Sequence, residues 1–168
     1  SGLTIVFNGR PQPAAGASTA SVMDACRELV RGNTARLLDA GSAYHERFGG
    51  SLAVGQYPAP EATSKARWLR DWLAGRIPSG ETLVLLGDEL ALPPWDVSID
   101  RLRLTTDAFY ADLDGDGVPD TAVARIVGTP EQRIRQLQGK RDYGPRAVVL
   151  CSEDTRIHLE TRAFAQAL

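Results

Sequence analysis

Thr82-Leu83-Val84-Leu85-Leu86-Gly87-Asp88-Glu89 is the stretch whose reading decides the fold of this chain. The apolar run is too short for an ordinary helix and is bounded by a turn signal, so it reads as a strand buried on both faces, the kind found where helices cover a parallel sheet. Gly87-Asp88-Glu89 follows at once and puts carboxylates at the strand's carboxyl end, where open α/β sheets form their functional crevices.

Working outward, Leu3 to Phe7 reads as a second short buried strand, followed by Asn8-Gly9 and a Pro/Ala/Gly/Ser-rich connection through Ala17. From Ser21 to Leu38 the residues Val22, Cys26, Leu29, Val30, Leu37 and Leu38 recur at helical spacing, with Gly32-Asn33 as an interruption and Ala40-Gly41 as the end. Leu52 to Gln56 reads as a short strand closed off by Pro58 and Pro60. Thr63 or Ser64 is positioned to cap a helix with Ala66, Leu69, Trp72 and Leu73 inward and Lys65, Arg67, Arg70 and Asp71 toward water, ending at Gly75 and Pro78. Pro93-Pro94 breaks the chain before a weakly alternating segment from Ile99 to Leu104. Thr129-Pro130-Glu131-Gln132 is a helix start with a cap, a proline at the first position and capping-box spacing, and Ile134 and Leu137 form its inner face. Ala147 to Cys151 reads as a further strand, and a helix is expected from His158 to Leu168. Alternating helices and short apolar strands predict an α/β sandwich with a mostly parallel central sheet. Residues 1–168 are expected to form a single α/β domain or the front of a larger one, since the last helical pattern has no Gly or Pro stop.

Composition narrows the function classes. The 168 residues suffice for one good core, and 43% hydrophobic with 24% charged residues is ordinary for a globular chain. A net charge of −2 without a Lys/Arg stripe gives no electrostatic case for nucleic acid. No apolar run approaches the roughly 20 residues of a membrane span, and the first residues do not have the pattern of a signal peptide. Cys26 and Cys151 are too few for a disulfide framework and both sit in apolar patterns suited to buried thiols.

The densest chemistry lies in Asp112-Leu113-Asp114-Gly115-Asp116-Gly117-Val118-Pro119-Asp120, which carries four carboxylates in nine residues. Such a run is self-repelling unless it faces water or shares a counter-ion. Calcium, with oxygen ligands at about 2.3–2.6 Å and flexible geometry, meets that need. With Asp112 at the first position of an EF-hand loop, Asp114, Asp116, the Val118 carbonyl and Asp120 fall at the next ligand positions, and Gly117 falls at the turn glycine. The last position is Val123, which has no carboxylate, and the β-branched residues after Pro119 favour a strand over a helix. The expectation is a calcium loop leading into a strand, with Asp112, Asp114, Asp116, Val118 and Asp120 as ligands and water or a distant carboxylate completing the shell. The plain alternative is a solvated Asp-Gly turn with no metal.

The stretch from Thr106 to Arg125, with Leu83-Val84-Leu85-Leu86-Gly87-Asp88 upstream, resembles a signature of gingipain-type cysteine peptidases. The resemblance covers about Leu83 to Cys151 and implies a caspase-like fold with a Cys-His pair that cleaves peptide bonds. It implies that Asp107 lines a specificity pocket and receives a basic side chain of a peptide or protein substrate, through the paired hydrogen bonds a carboxylate offers to arginine. It also implies an extracellular or periplasmic setting and, as partner, the remainder of the peptidase domain. Ala124 stands where that family has glycine, and its catalytic His and Cys motifs have no counterpart before Leu168. The chain therefore reads as the front portion of such a domain with no catalytic residue of its own, the alternative being a non-catalytic calcium-binding α/β scaffold or interaction domain.

A dyad built from the residues present is disfavoured. Cys151 and His158 flank a strand-to-helix turn but lack the order in which the family places its pair, and nothing in their spacing joins His45 to Cys26. Neither histidine belongs to a zinc motif, no glycine-rich phosphate loop is present, and Trp68, Trp72 and Trp95 are read first as packing residues.

Overall fold

A computed structural model describes residues 2–10, 19–32, 35–99 and 102–138, all within the compact unit Ser1–Gln138. Four strands, β1 (Leu3–Phe7), β2 (Arg36–Asp39), β3 (Thr82–Leu86) and β6 (Ala122–Ile126), form a sheet in the order β2-β1-β3-β6, every neighbouring pair parallel. The sequence-predicted strands at Leu3 and Thr82 thus become the two central strands. Register sets the faces: Leu38, Val6, Leu85 and Arg125 form one row, and Leu37, Ile5, Val84 and Ala124 form the adjacent row on the opposite face.

Helices cover both faces, which is why β3 is apolar on both sides. Cys26 of α1 (Thr19–Arg31), with Ile134 and Leu137 of α4 (Pro130–Gln138), joins Ile5, Val84 and Leu86. On the other face, Ala66, Leu69 and Leu73 of α3 (Ala62–Ala74) and Ala40 of α2 (Ala40–Phe48) pack on Val6, Leu83 and Leu85. The Thr129 capping box forms as expected: the Thr129 N–H donates to Gln132 Oε1 at 2.8 Å, and the Gln132 N–H donates to Thr129 Oγ1 at 3.4 Å.

Four expectations are corrected. The helix expected from Ser21 to Leu38 stops at Arg31, and Leu37 and Leu38 belong to β2, one on each face. Adjacent apolar residues satisfy a helical stripe as well as a doubly buried strand, and pairing with β1 decides between them. Ala40-Gly41 opens a helix instead of ending one, because Asp39 accepts the Ser42 N–H at 3.0 Å and caps α2. Leu52 to Gln56 is no strand: Leu52 and Val54 are buried, but the segment is a series of bends tied to the chain by the Val54 N–H on the Leu90 carbonyl. Thr63 and Ser64 lie inside the first turn of α3 and do not cap it; Ser64 Oγ donates back to the Glu61 carbonyl at 2.9 Å. The weak alternation near Ile99 belongs to an antiparallel hairpin of β4 (Trp95–Ile99) and β5 (Leu102–Thr106). The expected strand at Ala147 and the helix from His158 lie outside the described residues.

Candidate metal centre

The Asp-rich loop joins a short 3-10 helix, Ala108–Tyr110, to β6, and its base is pinned before any ligand is considered. Tyr110 is fully buried and its hydroxyl donates to the Pro93 carbonyl, while burial raises that phenol above the ordinary tyrosine range. The Ala111 carbonyl accepts the N–H groups of Asp120 at 2.7 Å and Thr121 at 3.2 Å, which closes the loop into a pinched Ω. The Gly80 N–H donates to the Asp120 carbonyl at 2.9 Å, and Thr121 Oγ1 donates to the Glu81 carbonyl, fixing the base to the α3–β3 connection.

Above that base, carboxylate oxygens of Asp112, Asp114 and Asp116 lie within 4.8 Å of one another. Their backbone is curled by their own side chains. Asp112 accepts the N–H groups of Gly115 at 2.7 Å and Gly117 at 3.0 Å, Asp114 accepts that of Asp116 at 3.1 Å, and Asp116 accepts that of Val118 at 2.7 Å. The curl requires φ of +83° at Gly115 and +87° at Gly117, which glycine adopts without the steric cost borne by other residues. Asp112 is half-buried and the other two are exposed.

Asp120 is placed differently. Its Oδ2 accepts the N–H groups of Leu113 at 2.8 Å and Asp114 at 3.3 Å, so it organises the loop from inside, apart from the three converging carboxylates. The Val118 side chain stands in solvent at 61% exposure. Arg70 of α3, expected to face water, instead lies over the Phe109 ring at 4.4 Å, with its guanidinium close to Gly115. Lys65, also expected outward, donates to the Ala53 carbonyl at 2.7 Å, and partial burial lowers its pKa.

Asp107 meets a residue that sequence reasoning used only as a family marker. Arg125 donates to both Asp107 oxygens, at 2.7 and 2.6 Å, and from the same guanidinium to the carbonyls of Gly87, Asp88 and Leu92 at 3.0, 3.0 and 2.9 Å. One side chain thereby clamps the chain leaving β3 to the entrance of the 3-10 helix, with side-chain exposures of 13% for Arg125 and 26% for Asp107. A substrate guanidinium at Asp107 would compete with this internal one. The available signal was the position of Arg125 in a strand otherwise suited to burial, since a cation facing a sheet's covered face needs a partner.

The remaining candidates do not converge. Cys26 is buried within the α1 cluster, its thiol pushed up to about 11 by desolvation, and His45 sits on α2, whose Tyr44 packs against the opposite face of the sheet. His45 Nδ1 is 3.2 Å from the Gly50 carbonyl. Cys151 and His158 lie outside the described residues. Trp68 stacks on Trp72, and Trp95 stacks on Phe109, as packing residues do.

No family model, curated protein or solved structure matches this chain. Among the described residues, no helix is long and apolar enough to cross a membrane.

Proposed function

We propose that the chain is a calcium-stabilised, non-catalytic α/β domain serving as a scaffold or interaction unit within a larger protein, and that residues 112–120 hold the ion. The observation carrying this reading is the approach of three carboxylates within 4.8 Å on a loop pinned at its base. The donors are hard oxygens without nitrogen or sulfur, which disfavours zinc, and a curled, irregular loop suits calcium's flexible shell better than the octahedron magnesium demands. Asp112, Asp114 and Asp116 would be direct ligands, the Val118 carbonyl and water would add to them, and Asp120 would hold the loop's shape. Two of the three carboxylates are exposed and Val123 supplies no bidentate group, so the affinity expected is that of the weak extracellular modules, Kd about 10⁻⁴–10⁻³ M.

Among the described residues, the buried, desolvated Cys26 and His45 at the other face of the sheet support the non-catalytic part of the reading. The resemblance to gingipain-type peptidases is retained as a proposal of shared scaffold: β3, its Gly87-Asp88 turn, the Asp loop and β6 follow one another in the order that resemblance calls for. The test is urea unfolding of the full chain in calcium and in chelator. At calcium 100 times its Kd, binding to the native state adds about 2.7 kcal/mol, and Asp112→Ala with Asp114→Ala abolishes the increment. Equal stability in both buffers overturns the proposal.

A further inference from the structure

Asn8-Gly9 closes β1, and glycine leaves its amide nitrogen unhindered for attack on the preceding asparagine side chain. In that reaction the Gly9 nitrogen loses its proton and bonds to Asn8 Cγ, the Cγ–Nδ2 bond breaks, and ammonia leaves with that proton. Water then opens the succinimide to an aspartyl or isoaspartyl residue. The attacking nitrogen and both polar atoms of the carboxamide are hydrogen-bonded here. The Gly9 N–H donates to Asp39 Oδ1 at 3.0 Å, Asn8 Nδ2 donates to the Ala91 carbonyl at 3.1 Å, and Asn8 Oδ1 accepts the Arg10 N–H at 3.2 Å. The carboxamide lies in space that only glycine at position 41 leaves open, since a Cβ there would stand 1.8 Å from Asn8 Oδ1. A carboxylate beside the Gly9 nitrogen opposes the anionic form that attacks.

We propose that Asn8-Gly9 is a latent deamidation site that the fold holds shut through Asp39. Its conversion is one-way, because ammonia is lost to solvent, and the product carboxylate replaces the donor facing the Ala91 carbonyl. Local opening of the β1 end sets the rate, so deamidation records how often this edge has opened. The full chain is aged at mildly alkaline pH and position 8 is followed by peptide mapping that separates the aspartyl and isoaspartyl products. Folded wild type is expected to convert at least about tenfold more slowly than the same chain in urea. Asp39→Ser, which keeps a residue able to cap α2, is expected to convert faster than wild type while circular dichroism reports it folded. Equal rates for folded and unfolded wild type, or a folded Asp39→Ser no faster than wild type, overturn the proposal. If Asp39→Ser does not fold, native-state hydrogen exchange of the wild-type Gly9 amide decides: protection supports the guard and free exchange refutes it.

Discussion

Replacing Arg125 by methionine removes a guanidinium whose three nitrogens make five hydrogen bonds, from a clamp whose acceptors stay in place. Asp107 keeps its charge at 26% exposure, and the carbonyls of Gly87, Asp88 and Leu92 each lose a bond of 2.9–3.0 Å. Removing one partner of a buried ion pair costs about 3–5 kcal/mol, and the access of both groups to some water places this pair at the low end, about 3 kcal/mol. With a urea dependence of about 2 kcal/mol/M, the midpoint falls by about 1.5 M without a change in slope. Methionine matches the length of the stem, so the loss reports the guanidinium more than packing. A double-mutant cycle with Asp107→Asn isolates the pair: once the carboxylate is neutral, Arg125→Met is expected to cost less, with coupling of about 1–2 kcal/mol. A loss for Arg125→Met below 1 kcal/mol, or strict additivity with Asp107→Asn, would refute the keystone role.

Two further outcomes follow from the charge environment. At the amino end of the sheet, a hydrogen bond from Thr4 Oγ1 at 2.7 Å, joined by Arg36 at 2.6 Å, holds the Glu81 carboxyl below its ordinary value near 4.5. The folded pKa is depressed, so this stability is full above about pH 4.5 and is lost as pH falls through the lower folded value; Glu81→Gln should flatten the acid limb of a stability–pH profile, and an unchanged limb would contradict the assignment. Cys26, with its thiol pushed up to about 11, should resist alkylation at neutral pH until the chain unfolds, as peptide mapping at that residue would show; labelling as fast in buffer as in urea would place it elsewhere.

The sheet was legible where apolar runs were short and bounded. Leu3 to Phe7, Thr82 to Leu86 and the segment after Pro119 all form strands, and Thr129 to Gln132 opens a helix as its residue types require. The failures share a cause: local pattern does not report which partner a segment meets. Leu37-Leu38 suits helix or strand equally until β1 pairs with it, and Leu52 and Val54 alternate without a ladder to join. At the site, the spacing of Asp112, Asp114 and Asp116 foretold their approach because the three lie on one curl of chain. The inward turn of Asp120 depends on backbone amides, which no side-chain pattern displays, and the only notice of the Arg125–Asp107 clamp was a cation in a strand suited to burial, which does not name its partner.

Calorimetric titration of calcium into the full wild-type chain, beside Asp114→Ala and Asp116→Ala, addresses the metal loop most directly. The account predicts saturable binding at one site with Kd of about 10⁻⁴–10⁻³ M, weaker for magnesium and lost in both variants. No binding heat up to millimolar calcium, or equal binding by wild type and both variants, would contradict it.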